Sequence, residues 1–264
     1  MEGIFWIAAY PRSGDTWLRV LLANWLSGKD EPVRLGELHR YGMAYQDNLP
    51  ALWEHVTGKA LPSEQEQFER AAEVQRALPR FAQEKLGAPQ PVLFCKTHAA
   101  RGRVKGHDTI ARDITLGAIH IVRDPRTVAP SVARFNDISL EEATRLMGDQ
   151  RSTLGKNKAS QYVSSWSVHT VSWIRAGFSL RYEDLPGAFE AVLEYLHFPK
   201  DERLTRAIAF SSFKDLARQE AEDRSVAQGR GEFVDAASEL PLPDELRTRI
   251  EQDHGPVMKT FGYL

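Results

Sequence analysis

The sequence predicts an α/β fold in which a central parallel sheet of four to five strands lies between two layers of helices. Two observations support this. Short apolar runs recur along the chain, and each precedes a segment whose apolar residues have helical spacing. The runs are apolar at successive positions, which is typical of strands buried on both faces, as in parallel sheets. They lie at residues 4–9, 91–95, 118–122 and 177–181.

The first apolar run is followed by helical spacing over residues 15–27, with Gly28 suited to end that helix. Residues 29–90 carry no strand pattern and predict one helix at about 63–86. We therefore interpret residues 29–90 as a helical and loop-rich insertion within a single domain of residues 1–264. Further helices are predicted after the later strands, at 127–136, 165–173, 186–197, 200–209 and 243–259.

The composition is that of a globular protein, with 264 residues, 42% hydrophobic and 27% charged. A net charge of −2 argues against nucleic acid or a membrane surface as partner, so any anion site must be local. No apolar stretch has the length of a membrane span, and no signal peptide is expected. The single cysteine, Cys95, lies in an apolar run, so we expect a core residue and a cytoplasmic protein.

The turn at Tyr10–Trp17 is the strongest candidate for an anion site. It joins a buried strand to a helix, so free backbone N–H groups and the helix dipole converge on one point. Arg12 adds a positive side chain there. The turn lacks the first glycine and the Gly-Lys pair of triphosphate-binding loops. It is therefore predicted to bind phosphate, although not in the manner of an ATP site.

Lys96 and His98 follow the second predicted strand. Because ligands of parallel sheets bind at the carboxyl ends of the strands, both side chains are expected beside the anion loop. A histidine in that position is a candidate general base, since its pKa lies near neutral pH. The alternative is a surface histidine without a chemical role.

A second anion site is predicted after the third strand. Arg123 stands at the end of that strand, Pro125 suits the first turn of the next helix, and Ser131 lies within it. An arginine fork with a hydroxyl suits a terminal phosphate. Two anion sites indicate a ligand that is phosphorylated at both ends or a nucleotide with an additional phosphate.

Six motifs in order resemble those of the cytosolic sulfotransferases that use 3′-phosphoadenosine 5′-phosphosulfate (PAPS), over nearly the whole chain. They are Tyr10–Trp17, Lys96–His98, Val122–Ser131, Ser165–Trp173, Arg181–Leu185 and Ser212–Lys214. The resemblance implies a P-loop NTPase-like three-layer fold. It also implies transfer of a sulfuryl group from PAPS to a hydroxyl or amine, with PAP as product and no metal.

The resemblance implies roles for individual residues. His98 would be the general base, and Lys96 and Arg12 would stabilise charge on the transferred group. Residues implied in nucleotide binding are Arg12, Ser13, Gly14, Asp15, Thr16, Trp17, Arg123, Ser131, Tyr182, Ser212, Phe213, Gly229, Arg230 and Gly231.

Three positions depart from the family pattern. Arg12 replaces a lysine, which keeps the charge but changes a point charge into a fork. Asp15 replaces a threonine or asparagine, and we expect its carboxylate to turn away from the phosphates and cap the helix. Gly229-Arg230-Gly231 only loosely matches the family's C-terminal phosphate loop. The family's short dimer motif is not found, so a homodimer is left open.

The acceptor is predicted to be a small molecule. The opening, Gly3–Pro11, is similar to that of bacterial sulfotransferases that modify glycopeptide antibiotics, which suggests a specialised metabolite. Tyr41, Tyr45 and Trp53 are interpreted as part of the substrate pocket; alternatively, their segment simply covers the sheet. Two other functions are retained, a P-loop nucleotide kinase-like phosphotransferase and a nucleotide-binding module without catalysis.

Overall fold

A five-stranded parallel sheet with order β2-β3-β1-β6-β9 forms the centre of the protein. The structure is a computed structural model that describes residues 3–87, 92–156, 159–222 and 241–264. The strands are β1 (Gly3–Ala9), β2 (Met43–Ala44), β3 (Val92–Thr97), β4 (Arg103–Val104), β5 (His107–Asp108), β6 (Thr115–Val122), β7 (Thr153–Lys156), β8 (Ala159–Tyr162) and β9 (Phe178–Arg181). β4–β5 and β7–β8 form separate antiparallel pairs.

Helices surround this sheet, and two short 3-10 helices lie at Leu35–Arg40 and Tyr182–Asp184. The α-helices are α1 (Asp15–Ser27), α2 (Tyr45–Thr57), α3 (Glu64–Glu69), α4 (Ala71–Gln75), α5 (Leu78–Leu86), α6 (Pro125–Asn136), α7 (Leu140–Gly148), α8 (Trp166–Ile174), α9 (Phe189–Tyr195), α10 (Glu202–Ala209), α11 (Phe213–Glu222) and α12 (Asp244–Thr260). No helix in the described ranges is both long and apolar enough to cross a bilayer.

The two faces of β1 bury different side chains, which explains the three layers. Ile4, Trp6 and Ala8 pack into the core beneath α2, α4 and α5. Ile7 and Ala9 pack on the opposite face against α1, α9 and α10. Because successive strand residues point to opposite faces, a run that is apolar throughout requires cover on both. The predicted α/β fold with four to five parallel strands is confirmed.

The segment between β1 and β3 differs from its prediction. The single helix expected at about 63–86 is divided into α3, α4 and α5, with breaks near Arg70 and Ala77. Pro79 explains the second break, because proline fits only the first turn of a helix without disrupting it. The sequence also did not predict α2, whose interior contains Pro50, or the two-residue strand β2.

Candidate active site

Four parallel strands end side by side and bring the predicted site residues to one edge of the sheet. β1 lies between β3 and β6, and β9 follows β6. Because all four run in the same direction, the segments after Ala9, Thr97, Val122 and Arg181 meet at their carboxyl ends. Every predicted motif that follows a strand is therefore at this edge.

The loop after β1 has the backbone shape of an anion cradle. Arg12 and Gly14 both have left-handed backbone angles, with φ of 68° and 96°, and the Ser13 N–H donates to the Tyr10 carbonyl at 3.1 Å. Alternation of right- and left-handed residues turns successive N–H groups towards one point. At Gly14 a Cβ atom would lie 2.3 Å from a ring carbon of Tyr182, so only glycine fits.

The Ser13 hydroxyl is fully buried in this loop and has no hydrogen-bond partner among the described residues. A buried hydroxyl without a partner destabilises the folded state, because it has lost its hydrogen bonds to water and forms none within the protein. A phosphate oxygen in the cradle would supply an acceptor. The loop therefore fits the phosphate group that the sequence predicts there.

Arg12 connects the two predicted anion sites. Its Nε donates to the Ser131 hydroxyl at 3.1 Å, and its guanidinium lies 4.7 Å from the ring centre of Phe135. The Arg123 Nη1 donates to the Arg12 carbonyl at 3.1 Å, and the Arg123 guanidinium stacks 4.5 Å from the centre of the Tyr182 ring. Arg12, which belongs to the first predicted site, thus contacts both Ser131 and Arg123 of the second site.

His98 is buried and held in a defined orientation. Its Nδ1 lies 2.8 Å from the Ala9 carbonyl oxygen, and because a carbonyl only accepts, Nδ1 carries the proton. In the neutral ring Nε2 is therefore the nitrogen that can accept a proton. The arrangement leaves His98 able to accept a proton at Nε2, as a general base must.

Gln161 on β8 fixes the backbone around His98 and was not predicted from the sequence. Its Oε1 accepts from the Thr97 hydroxyl at 2.8 Å and from the His98 N–H at 2.9 Å. β8 is a short strand that pairs with β7, and a lone glutamine in it gives no sequence signal.

Asp15 pairs with Lys96 instead of capping its helix. The Asp15 carboxylate lies 2.7 Å from the Lys96 Nζ, both side chains are mostly buried, and the residue in the capping position of α1 is Gly14. Burial alone would raise the pKa of Asp15. The charges of Lys96 and His98 lower this pKa by a larger amount, so it lies well below its usual range. The capping prediction was wrong because β3 offers a cation within reach of the loop.

Three aromatic side chains close the other side of the loop. The rings of Tyr182 and Phe213 lie 5.6 Å and 6.1 Å from the Trp17 ring, both edge-on, and the Trp17 Nε1 donates to the Ser211 carbonyl at 2.8 Å. The cavity among them, of about 30 Å³, is lined by Arg12, Gly14, Thr16, Trp17, Arg123, Tyr182 and Phe213. A flat base stacked between the Trp17 and Phe213 rings would need roughly 7 Å between the two rings. One of these rings would therefore have to move to admit a nucleobase.

Ser212 has a structural contact that its prediction did not include. Its hydroxyl accepts from the Asp215 N–H at 3.2 Å and lies 2.6 Å from the Asp215 carboxylate, so it caps α11. It does not line the small cavity beside Phe213. Gly229, Arg230 and Gly231 lie outside the described residues.

A second cavity, of about 300 Å³, opens on the opposite side of Arg12 and contains His98. Its lining residues are Pro11, Arg12, Asp15, Gln46, Asp47, Lys96, His98, Phe135, Asn136, Leu154 and Gly155. Charged and polar side chains dominate this list. Gln46, Asp47 and Asn136 were not predicted, because each is a single polar residue on a helix and resembles any solvated position.

The aromatic residues predicted for the substrate pocket do not line this cavity. Tyr45 and Trp53 are buried in the core against the sheet, and Tyr41 packs beside the 3-10 helix Leu35–Arg40. The reason is the orientation of α2, which turns its apolar face to the sheet and its polar residues to the cavity. Within the described ranges, no group of three or more His, Cys, Asp or Glu side chains could hold a metal ion.

No protein-family model and no curated protein sequence matches the chain. Solved structures do match. One is retinol dehydratase in complex with androsterone and the inactive cofactor PAP, with 16% identity, a TM-score of 0.57, and coverage of 98% of this chain and 81% of that one. Another is retinol dehydratase with retinol and PAP, with 14% identity, a TM-score of 0.57, and coverage of 99% and 83%. The chain thus shares the fold of a protein that was crystallised with PAP.

Proposed function

We propose that this protein is an enzyme, a PAPS-dependent sulfotransferase that moves a sulfuryl group from PAPS to a hydroxyl or amine of a small-molecule acceptor. One observation carries the proposal. His98 stands between the anion loop and the larger cavity, with its Nδ1 proton bound by the Ala9 carbonyl and with Lys96 and Arg12 beside it. The PAP in both structural neighbours agrees with this, since PAP is what remains of PAPS after the sulfuryl group leaves.

PAPS supplies the activated sulfuryl group, and the residues of the loop fit its phosphates. The N–H groups of the loop, the buried Ser13 hydroxyl and Thr16 would hold the 5′-phosphate. Arg123 and Ser131 would hold the 3′-phosphate, which distinguishes PAPS from ATP. Trp17, Tyr182 and Phe213 would contact the adenine once the rings have separated.

The proposed chemistry is a direct in-line transfer. His98 Nε2 takes the proton of the acceptor as the new bond to sulfur forms and the bond from sulfur to the leaving phosphate oxygen breaks. The Ala9 carbonyl stabilises the imidazolium that results, because it already accepts the other ring proton. Lys96 and Arg12 stabilise negative charge on the sulfuryl oxygens and the leaving phosphate.

The biological setting is also proposed. A cytoplasmic enzyme that modifies a specialised metabolite is supported by the single buried cysteine and by the opening Gly3–Pro11, which is similar to bacterial sulfotransferases that act on glycopeptide antibiotics. We treat residues 1–264 as one catalytic domain.

Calorimetric titration with PAP, ADP and AMP, in the absence of metal, tests the proposal. We expect PAP to bind at least tenfold more tightly than ADP, because only PAP has a 3′-phosphate for Arg123. Equal binding of ADP, or binding only in the presence of Mg²⁺, would contradict the proposal and favour the kinase-like function. Binding of PAP without turnover of any acceptor would favour a nucleotide-binding module.

A further inference from the structure

We infer that Gln161 is a positioning residue for His98. Through one side-chain oxygen it fixes the backbone that carries the proposed base, and removal of that oxygen slows the reaction. The inference rests on the proposed function, in which His98 accepts the proton of the acceptor. Gln161 does not line the larger cavity, so its effect on the reaction is exerted through His98.

The backbone that carries His98 lies beyond the ladder of the central sheet. β3 ends at Thr97, where it pairs with Ala8 of β1. Residues 98–100 are buried, and a buried N–H group without a partner destabilises the folded state. Their N–H groups therefore need partners outside this ladder, and those partners determine the path of the chain at His98.

β8 supplies the partners, and one oxygen atom serves several of them. The Gln161 Oε1 accepts from the His98 N–H at 2.9 Å and lies 3.1 Å from the Ala99 nitrogen. The same atom accepts from the Thr97 hydroxyl at 2.8 Å. Donors from three consecutive residues thus converge on one amide oxygen of a buried side chain. A network of this kind specifies a single geometry when all its members are satisfied.

The imidazole of His98 is held at two points, and Gln161 provides the second. The ring is bound through Nδ1, which lies 2.8 Å from the Ala9 carbonyl oxygen. That bond constrains one ring atom only, so the position of Nε2 also depends on the backbone from which the side chain extends. Since Nε2 is the proposed proton acceptor, the bond from the His98 N–H to Gln161 helps to fix the reacting atom.

The β7–β8 hairpin that carries Gln161 also forms part of the larger cavity. Leu154, which pairs with Gln161 across the hairpin, lines that cavity together with Gly155. The Gln46 Nε2 donates to the carbonyls of Leu154 and Ala159 at 3.1 and 2.9 Å and so binds both strands to α2. The proposed base and one wall of the cavity therefore share a support, and Gln161 connects this support to the base.

Gln161→Leu removes the shared oxygen and should lower kcat about 10- to 100-fold, because small misplacement of a catalytic group costs up to about 10²-fold. The affinity for PAP should stay within about twofold, since the donor loop follows β1. Turnover is measured with PAPS and 4-nitrophenol as the probe acceptor. Calorimetry with PAP gives the affinity and the number of intact sites, by which kcat is normalised.

Nuclear magnetic resonance of the free protein, with histidine labelled at its ring nitrogens, measures the position of the base directly. The signal of His98 is identified by its absence in His98→Ala. In the wild type we expect the tautomer with the proton on Nδ1, which the Ala9 carbonyl selects. In Gln161→Leu we expect a mixture of tautomers, because the ring is no longer held against that carbonyl. This measurement needs neither nucleotide nor acceptor.

Gln75→Leu is the matched control. Gln75 is equally buried, and it bonds to backbone through both ends, from the Ala111 N–H at 2.7 Å and to the Thr109 carbonyl at 2.9 Å. Its replacement should cost comparable stability and leave kcat and the tautomer of His98 unchanged. Gln161→Glu keeps an acceptor oxygen in place and should restore the Nδ1 tautomer and most of kcat.

A double variant separates action through His98 from a general structural effect. In the His98→Ala background, Gln161→Leu should cause no further loss of turnover, because residues that act through one another are not additive. A further loss as large as that in the wild-type background would overturn the inference. So would a Gln161→Leu protein that keeps the Nδ1 tautomer and the kcat of Gln75→Leu.

The outcomes also separate the inference from the proposed function. If PAP binds and Gln161→Leu leaves His98 unchanged, the inference is wrong and the proposed function stands. If 4-nitrophenol is not turned over, the resonance spectra still decide whether Gln161 positions His98. If the wild-type protein does not bind PAP, the proposed function fails and the inference fails with it.

Discussion

The two sides of the candidate site are built in different ways. The proposed donor side, comprising residues 10–17, Arg123, Tyr182 and Phe213, consists of short motifs at the ends of strands, and its small cavity lies among aromatic rings. The proposed acceptor side comprises single polar residues from α2, α6 and the segment around the end of β3, namely Gln46, Asp47, Lys96, His98 and Asn136, and its cavity is about ten times larger.

The two cavities differ about tenfold in volume, so the proposed acceptor side has far more space for a ligand than the proposed donor side. A charged donor is recognised by backbone N–H groups and fixed cations, which only a few sequences can provide. An acceptor is recognised by side chains that can change one at a time without loss of the fold. Variants on each side should therefore affect different measurements, and the following predictions test that separation in order of decreasing effect.

The largest effect is expected from His98→Ala on the acceptor side. Loss of a general base should lower kcat about 10²–10⁴-fold, and the affinity for PAP should change little. Turnover with PAPS and calorimetry with PAP measure the two quantities. His107→Ala, which changes an exposed histidine of the β4–β5 hairpin, is the control and should alter neither. Substantial turnover by His98→Ala would show that His98 is not the general base. It would also contradict the proposed separation between the two sides of the site.

Arg123→Ala should give the reverse result on the donor side. Removal of the proposed 3′-phosphate contact should weaken PAP binding about 10- to 100-fold, since a hydrogen bond to a charged group contributes about 1.5–3 kcal/mol. At saturating PAPS, kcat should remain close to that of the wild type. Arg123→Lys should recover part of the affinity, because it keeps the charge without the fork. Unchanged PAP affinity in Arg123→Ala would mean that the 3′-phosphate binds at another position.

The buried histidine His120 should make the stability of the protein sensitive to acid. Burial lowers the pKa of His120 to about 3, and its ring lies 5.9 Å from that of the buried His169. Because the folded state binds this proton less readily than the unfolded chain, stability should decrease as pH falls below about 6.5. One such histidine costs about 2 kcal/mol between pH 6.5 and 5.

His120→Leu tests this effect. Urea unfolding of both proteins at pH 7 and pH 5 should show a smaller decrease in the free energy of unfolding for the variant, by about 2 kcal/mol. Equal decreases in the two proteins would mean that His120 does not cause the acid sensitivity. The measurement uses differences within each protein, so a general loss of stability in the variant does not affect it.

The smallest effect is expected at Asp15, which lies between the two sides. Its carboxylate, ionised and paired with Lys96, opposes the charge of the donor. Asp15→Asn should therefore strengthen PAP binding roughly three- to tenfold, an effect of about 1 kcal/mol. Asp15→Glu keeps the charge and serves as control in the same titration. Weaker binding in Asp15→Asn would indicate that the ion pair is needed to position Lys96 and that its role outweighs the repulsion.

The sequence was informative where local patterns decide the structure. Apolar runs on both faces of a strand predicted the sheet, and the helix after the loop was predicted with the bounds found for α1. The positions of Arg12, Lys96, His98 and Arg123 followed from the rule that parallel strands end together. Each of these inferences needs only residues that are close in the chain.

The sequence was not informative where tertiary contacts decide the structure. The orientation of α2 depends on packing against β3, so the sequence did not indicate that Tyr45 would be buried and Asp47 would line the cavity. The position of Asp15 depends on a lysine more than eighty residues away in the chain, which overrides its capping preference. Gln161 lies on β8 and contacts His98, which follows β3 of the central sheet, and no local pattern encodes that contact.

The hydrogen bond between His98 and the Ala9 carbonyl has a consequence for which substitutions leave this site in place. Ala9 is the last residue of the strand that leads into the donor loop, so the base and the loop are anchored on one short piece of backbone. Gln46 and Asp47, by contrast, are carried by a separate helix. A substitution on α2 can therefore change the lining of the larger cavity without moving the backbone that joins His98 to the loop after β1.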